Sequence, residues 1–127
     1  MKNLLKIFSM IMFFNLISCA QQSDEFNMTV VELDNKMKTD STLVILDVRT
    51  APELTGPLGR IEGVINIPVQ ELQQRLSELE NYKTNNIAVI CRSGNRSRTA
   101  TSILNSAGYN AKNVIGGMKE YNKLPKN

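Results

Sequence analysis

The stretch of this chain best equipped for chemistry is Cys91-Arg92-Ser93-Gly94-Asn95-Arg96-Ser97-Arg98-Thr99, a thiol followed by three guanidinium groups, a glycine and small hydroxyl residues. A cysteine attacks as its thiolate, and an ordinary thiol pKa of about 8.5 leaves little of that form at neutral pH unless the surroundings stabilise it. The usual base is missing. The chain contains no histidine, which excludes a Cys-His or Ser-His-Asp arrangement and any metal site built on histidine or on several cysteines. The thiolate must therefore be made by electrostatics alone. The first N–H groups of a helix lack internal partners and can hold an anion that lies just beyond the helix end. Gly94 permits the tight turn this needs, and Asn95 tolerates unusual backbone angles better than most residues.

The arginines point the same way by breaking a rule. Cations at a helix N-terminus oppose the macrodipole by roughly 0.3 to 1 kcal/mol each, yet Arg92, Arg96 and Arg98 crowd that end with no acid among them. Such local violations are expected where function overrides stability. Planar guanidinium forks suit an oxyanion. The alternative is a solvated arginine face above a cysteine that only fills space; it accounts for one arginine more easily than for three.

The flanking sequence predicts what positions this loop. Thr29-Val30-Val31-Glu32 fits a capping box, and Val30, Leu33 and Met37 recur at helical spacing over residues 29–38. The apolar β-branched run 43–48 reads as a strand buried on both faces, and 64–68 as a shorter one stopped by Pro68. Val69, Leu72, Leu76 and Leu79 share a helical face running to about Glu80. Residues 87–90, Ile-Ala-Val-Ile, form another buried strand that delivers the chain straight to Cys91. Ala100, Ile103, Leu104 and Ala107 share the face of the next helix, with Gly108 at its C-cap; 112–117 gives a short strand and a turn, and Met118, Tyr121 and Leu124 a last short helix. Strands alternating with helices imply an α/β fold, a central parallel sheet of four to five strands with helices on both faces. Sites in such folds collect at the carboxyl ends of strands, where Cys91 stands.

At 127 residues, with 42% hydrophobic and 21% charged content, the chain is long enough for one ordinary globular core and too short for two. Residues 1–18 read as an export signal: Lys2 and Lys6, then an apolar stretch from Ile7 to Ile17 broken only by Ser9 and Asn15. Leu16-Ile17-Ser18-Cys19 resembles the lipobox of bacterial lipoproteins, which makes Cys19 the lipidated residue and 19–27 a polar tether ahead of a domain over 28–127. An uncleaved anchor, or an ordinary signal cleaved near Ala20, are the other readings. The expected location is a membrane surface of the cell envelope, with the domain facing the periplasm or the exterior. Without Lys2 and Lys6 the formal charge of +3 falls to +1, no basis for nucleic acid as a partner. With Cys19 used for lipid, Cys91 has no disulfide partner in the chain.

The loop Cys-Arg-Ser-Gly-Asn-Arg-Ser resembles the active-site loop of rhodanese domains, the single-domain sulfurtransferases. Residues 46–50 (Leu-Asp-Val-Arg-Thr), 59–68 (Gly-Arg-Ile-Glu-Gly-Val-Ile-Asn-Ile-Pro) and 114–121 (Val-Ile-Gly-Gly-Met-Lys-Glu-Tyr) resemble the family's other landmarks, so the likeness extends over about 28–124. The resemblance implies a rhodanese-like fold and a sulfurtransferase in which Cys91 takes a sulfane sulfur from a donor such as thiosulfate. The persulfide would pass it to a thiophilic acceptor, cyanide or a thiol, with no cofactor and no metal. The backbone amides of Arg92, Ser93, Gly94, Asn95, Arg96 and Ser97 would cradle the outer sulfur, Arg92 and Arg96 would orient an anionic donor, and Asp47 with Arg49 would hold the surrounding loops. An exposed ion pair of little weight is the plainer reading of that pair. Arg60 stands where the family usually has histidine and Tyr121 where a tryptophan is common, and the Pro- and Gly-rich segment 51–59 departs from a more helical entry.

Three rivals share the loop's chemistry. Cysteine-dependent phosphatases and arsenate reductases place five residues between cysteine and arginine; here four separate Cys91 from Arg96, and Ser97 stands one further on. A non-catalytic binding or sensing module commonly loses the cysteine that this chain keeps. A thiol-disulfide oxidoreductase would need a resolving cysteine nearby.

Overall fold

The computed structural model describes residues 25–126. The predicted export signal, Cys19 and most of the expected tether lie outside the described residues. The chain runs β1 (Asn27–Met28), α1 (Val30–Thr39), β2 (Val44–Asp47), a 3₁₀ turn (Ala51–Thr55), β3 (Ile65–Asn66), α2 (Val69–Leu72) continuing as 3₁₀ helix over Gln73–Tyr82, β4 (Asn86–Ile90), α3 (Asn95–Ser106), β5 (Asn110–Val114) and α4 (Gly117–Tyr121). The capping box at α1 forms as its sequence predicts, with the Glu32 amide donating to Thr29 Oγ1 at 3.1 Å and the Thr29 amide to Glu32 Oε2 at 3.0 Å.

All strands pair in parallel, in the order β1-β5-β4-β2-β3. Alternate side chains of the central strand feed two cores. Ile87, Val89 and Cys91 pack with Leu46 and Val48 against Leu72 and Leu79 on one face and Ala100 and Leu104 of α3 beside them. Ala88 and Ile90 join Val114, Leu33 of α1 and Met118 of α4 on the other. Helices therefore cover both faces, which is why 87–90 carries no polar residue. The order reverses between β2 and β4, whose following loops diverge and open a crevice at the strands' carboxyl ends. Asp47 pairs in register with both Ile90 and Asn66, so the residues after β2 and β4 emerge side by side.

Three elements differ from their sequence expectations. The predicted helix to Glu80 is α-helical for one turn only; Leu76, Leu79 and Tyr82 recur every third residue, and a 3₁₀ helix is the form that stacks such a triplet on one face. The last strand starts at Asn110, two residues early, because its amides pair with β4 whatever their side chains. The sheet also gains β1, which begins one residue before the expected start of the domain: the Asn113 amide donates to the Phe26 carbonyl at 2.8 Å and the Ile115 amide to that of Met28 at 2.9 Å.

The N-terminus of α4 fastens the loop that follows β4. The Met118 amide donates to the Cys91 carbonyl at 2.9 Å and the Lys119 amide to that of Arg92 at 3.1 Å. So close an approach requires glycine at 117, where φ is +58° and a Cβ would collide with the Cys91 carbonyl and lie 2.7 Å from that of Arg92. Gly63, at φ +80°, faces open space. We expect Gly117→Ala to destabilise the domain by about 3 kcal/mol, combining a left-handed residue with a backbone clash, and Gly63→Ala by about 1 kcal/mol. Urea midpoints of the two variants compare them; equal losses would show that α4 does not hold the loop tightly.

Candidate active site

β4 ends at Ile90, whose carbonyl accepts from the Val48 amide at 3.0 Å, and the chain enters the loop with the Cys91 side chain already inside the first core, only 1% exposed. Gly94, at φ +103°, turns the chain into α3. The helix starts at Asn95, so Asn95, Arg96 and Ser97 form its first turn and only Arg92, Ser93 and Gly94 make the turn itself. This compression swings the N-terminus of α3 onto the sulfur. The Gly94 amide donates to Sγ at 3.1 Å, and Ser97 Oγ lies 3.2 Å from it. Ser97 is itself oriented from behind: its Oγ also lies 2.5 Å from Asn113 Oδ1, so its single proton serves that oxygen while Cys91 is a thiol and can turn to the sulfur when Cys91 ionises, and Asn113 Nδ2 donates to Asn27 Oδ1 at 3.3 Å. Cys91, Ser97 and Asn113 are all buried.

Burial pushes the Cys91 thiol up, but hydrogen bonding from the Ser97 hydroxyl and from the amides of Ser97, Gly94 and Ser93 outweighs it and holds the group below its ordinary value. The thiolate is thus favoured chiefly by N–H and O–H dipoles at contact distance. Ser93, Gly94 and Ser97 serve Cys91 Sγ directly, while the Arg92 and Asn95 side chains are exposed. The arginines part company. Arg98 turns to a cleft at the sheet edge that it lines with Phe26, Asn27 and Asn105. Arg96 meets Glu53 in a two-pronged ion pair, Nη1 to Oε2 and Nη2 to Oε1 both at 2.8 Å. Arg92 lines a cavity of about 360 Å³ beside the loop with Arg49, Glu53, Gly56, Pro57 and Leu58.

Asp47 pairs with Arg49 at the wall of this cavity, which Arg49 lines. They are 0% and 1% exposed, so the pair is a buried one, unlike the exposed bridge that was the plainer reading. Arg49 Nη2 donates to Asp47 Oδ2 at 2.6 Å and Nε to Oδ1 at 3.0 Å; the remaining donors reach the Gly59 carbonyl at 2.8 Å and the Glu53 carbonyl at 3.3 Å. Segment 51–59 is therefore stitched to β2 at both ends. Asn66 Nδ2 adds bonds to the carbonyls of Asp47 at 3.0 Å and Arg49 at 2.8 Å. Arg60 is exposed, and Tyr121 packs on the far core with its hydroxyl 3.9 Å from Met37 Sδ.

Two residues of the site went unread in the sequence. Glu53 carried a signal, since Thr50-x-x-Glu53 is a capping-box pattern, and its carboxylate does reach back to accept from the Thr50 amide. That pattern announces a helical turn, but not that the carboxylate's other side faces Arg96, 43 positions away. Asn113 is a polar residue at an inward position of β5. Its polarity was visible; its neighbour Ser97 was not.

Similarity to known proteins coincides with this geometry. Residues 29–124 match the family model described as the rhodanese-like domain. The chain is 36% identical over 104 residues to a protein of Schizosaccharomyces pombe provisionally named a mitochondrial thiosulfate sulfurtransferase, covering 72% of each chain. It is 36% identical over 87 residues to YrkF of Bacillus subtilis, provisionally named a sulfur carrier protein; the match takes in 68% of this chain and spans 45% of YrkF. The crystal structure of a rhodanese-like domain protein from Staphylococcus aureus superposes with a TM-score of 0.68 at 30% identity, covering 76% of this chain and 90% of that one.

Two outcomes follow from the hydrogen bonds. Ser97→Ala should slow alkylation of Cys91 by iodoacetamide at pH 7 about tenfold, the worth of one bond to a charged sulfur, with Ser97→Thr restoring most of it. Peptide mass spectrometry across a pH series checks this, and an unshifted profile would remove Ser97 from the cradle. Glu53, held at about 2 by hydrogen bonding from Arg96 against burial and with help from Thr50, lies below its ordinary 4.5. Its contribution to stability is therefore present above about pH 4.5 and lost as pH falls toward 2, so Glu53→Gln should flatten the acid limb of a stability curve over that window.

Proposed function

Because the chain belongs to the rhodanese-like domain family, we propose that it is a sulfurtransferase working through a persulfide on Cys91. The observation that carries this reading is the buried thiol of Cys91, hydrogen-bonded by the Gly94 amide and beside the Ser97 hydroxyl, in a chain with no histidine to act as base. In the first half-reaction the Cys91 thiolate attacks the outer sulfur of a donor such as thiosulfate. A Cys91 Sγ–S bond forms, the donor's S–S bond breaks, and its electron pair leaves with sulfite. The terminal sulfur keeps the negative charge, which the first amides of α3 are positioned to share. In the second, cyanide or a thiolate attacks that terminal sulfur, takes it away and returns the Cys91 thiolate. No base is consumed, in keeping with the missing histidine. Arg92, exposed beside the cavity, is positioned to attract the anionic donor.

The membrane assignment belongs to the same proposal and rests on the sequence alone: lipidation of Cys19 would tether the domain to an envelope membrane, facing the periplasm or the exterior. Treating the full-length chain with thiosulfate should add one sulfur to the peptide carrying Cys91, removable with cyanide, while Cys91→Ser takes up none. Equal behaviour of the two would leave a non-catalytic module. Metabolic labelling with a fatty acid in a bacterial host should mark the wild-type chain and not Cys19→Ala; label surviving that change would place the anchor elsewhere.

A further inference from the structure

The mouth of the site holds its positive charge less freely than a loop with three arginines suggests. Arg49 is committed to Asp47 within the core, and Arg98 lines a different cleft at the sheet edge. Arg96, within the first turn of α3, has its charge neutralised by Glu53. This ion pair is not two surface side chains that happen to meet. The Glu53 carboxylate is fixed independently by the Thr50 amide and Thr50 Oγ1, each donating to Oε2 at 2.9 Å, and the Glu53 carbonyl accepts from Arg49 at 3.3 Å. Both partners are about one-third exposed, so the pair is partly withdrawn from water. Glu53 also stays ionised through the neutral range, being held at about 2. Of the two arginines lining the cavity, Arg92 alone has no carboxylate partner among the described residues. Pro57 and Leu58 give the same cavity an apolar wall.

We propose that Glu53 is a specificity-determining residue that, by neutralising Arg96, sets the site for sulfane donors carrying one negative charge on an organic group, such as a thiosulfonate or an organic persulfide, over the dianion thiosulfate. This rests on the sulfurtransferase reading and refines it. A singly charged donor finds Arg92 for its charge and Pro57 and Leu58 for its organic part. A dianion brings a second charge that meets the Glu53 carboxylate instead of a free guanidinium, and partly desolvated surroundings magnify that penalty. The chemical step balances in either case. With methanethiosulfonate the Cys91 thiolate bonds to the sulfane sulfur, the bond between that sulfur and the sulfonyl sulfur breaks, and methanesulfinate leaves with the electron pair; no proton, oxidant or reductant is needed.

The test compares kcat/KM for thiosulfate and for methanethiosulfonate in the full-length chain at low ionic strength, with cyanide as acceptor and thiocyanate as readout. Methanethiosulfonate replaces one charged oxygen of thiosulfate with a methyl group. Glu53→Gln keeps an acceptor for Thr50 but frees Arg96. It should raise kcat/KM for thiosulfate roughly tenfold or more and that for methanethiosulfonate less than about threefold. Glu53→Asp should keep the wild-type ratio. Should Glu53→Gln fail to fold, Arg96→Gln supplies the opposite arm: leaving the Glu53 carboxylate bare, it should depress thiosulfate turnover several-fold more than methanethiosulfonate turnover. An unchanged donor ratio in a variant that turns over overturns the role of Glu53 and leaves the sulfurtransferase reading intact. Failure of the wild type to take sulfur from either donor overturns both.

Discussion

A guanidinium buried in a protein core must recover in hydrogen bonds what it loses by leaving water, and around Arg49 that requirement shapes everything near the thiol. Asp47 supplies a carboxylate from the adjoining strand end, but a single carboxylate cannot satisfy a five-donor fork. The carbonyls of Glu53 and Gly59 take up the rest. A segment rich in proline and glycine, with few apolar side chains of its own, is thereby held against the sheet. Glu53 reaches the first turn of α3 because its backbone is fixed there. The buried pair thereby converts charge burial into the placement of segment 51–59.

The sulfur is handled by different physics. Monopoles at a distance are screened by water, whereas N–H and O–H dipoles at contact act undiminished in a dry setting. Cys91 is buried, and its anion is supported by the amides of Ser93, Gly94 and Ser97 and by the Ser97 hydroxyl. The arginines stand further out and divide among separate tasks. A thiol pulled into the core would ordinarily become less acidic and inert; here the helix terminus is brought close enough to reverse the sign. That closeness depends on two glycines, Gly94 for the turn into α3 and Gly117 for the approach of α4 from beneath.

Much of this could be read from residue order. The alternation of buried strands with amphipathic helices follows from local pattern, and so does the position of Cys91 at a strand end, since the run Ile87 to Ile90 has no other use than burial on both faces. The nature of the loop was readable for the same reason: histidine is missing and glycine sits at one defined offset. What stayed hidden depends on distance along the chain. The 3₁₀ helix after Leu72 forms because tertiary packing favours a three-residue repeat over helical propensity. Strand β1 forms by backbone pairing to β5, and its two residues, Asn27 and Met28, carry no strand pattern. The partnership of Glu53 with Arg96, and of Ser97 with Asn113, joins residues 43 and 16 positions apart. Each side chain announced its chemistry, and none announced its neighbour.

The carbonyls of Cys91 and Arg92 are gripped by the amides that open α4, the last helix to emerge during synthesis among the described elements. The turn that leads into α3 is therefore held by residues that follow it in the chain as well as by its own hydrogen bonds. Support for the reactive loop is thus non-local: it comes from a helix that lies beyond both α3 and β5 in the chain.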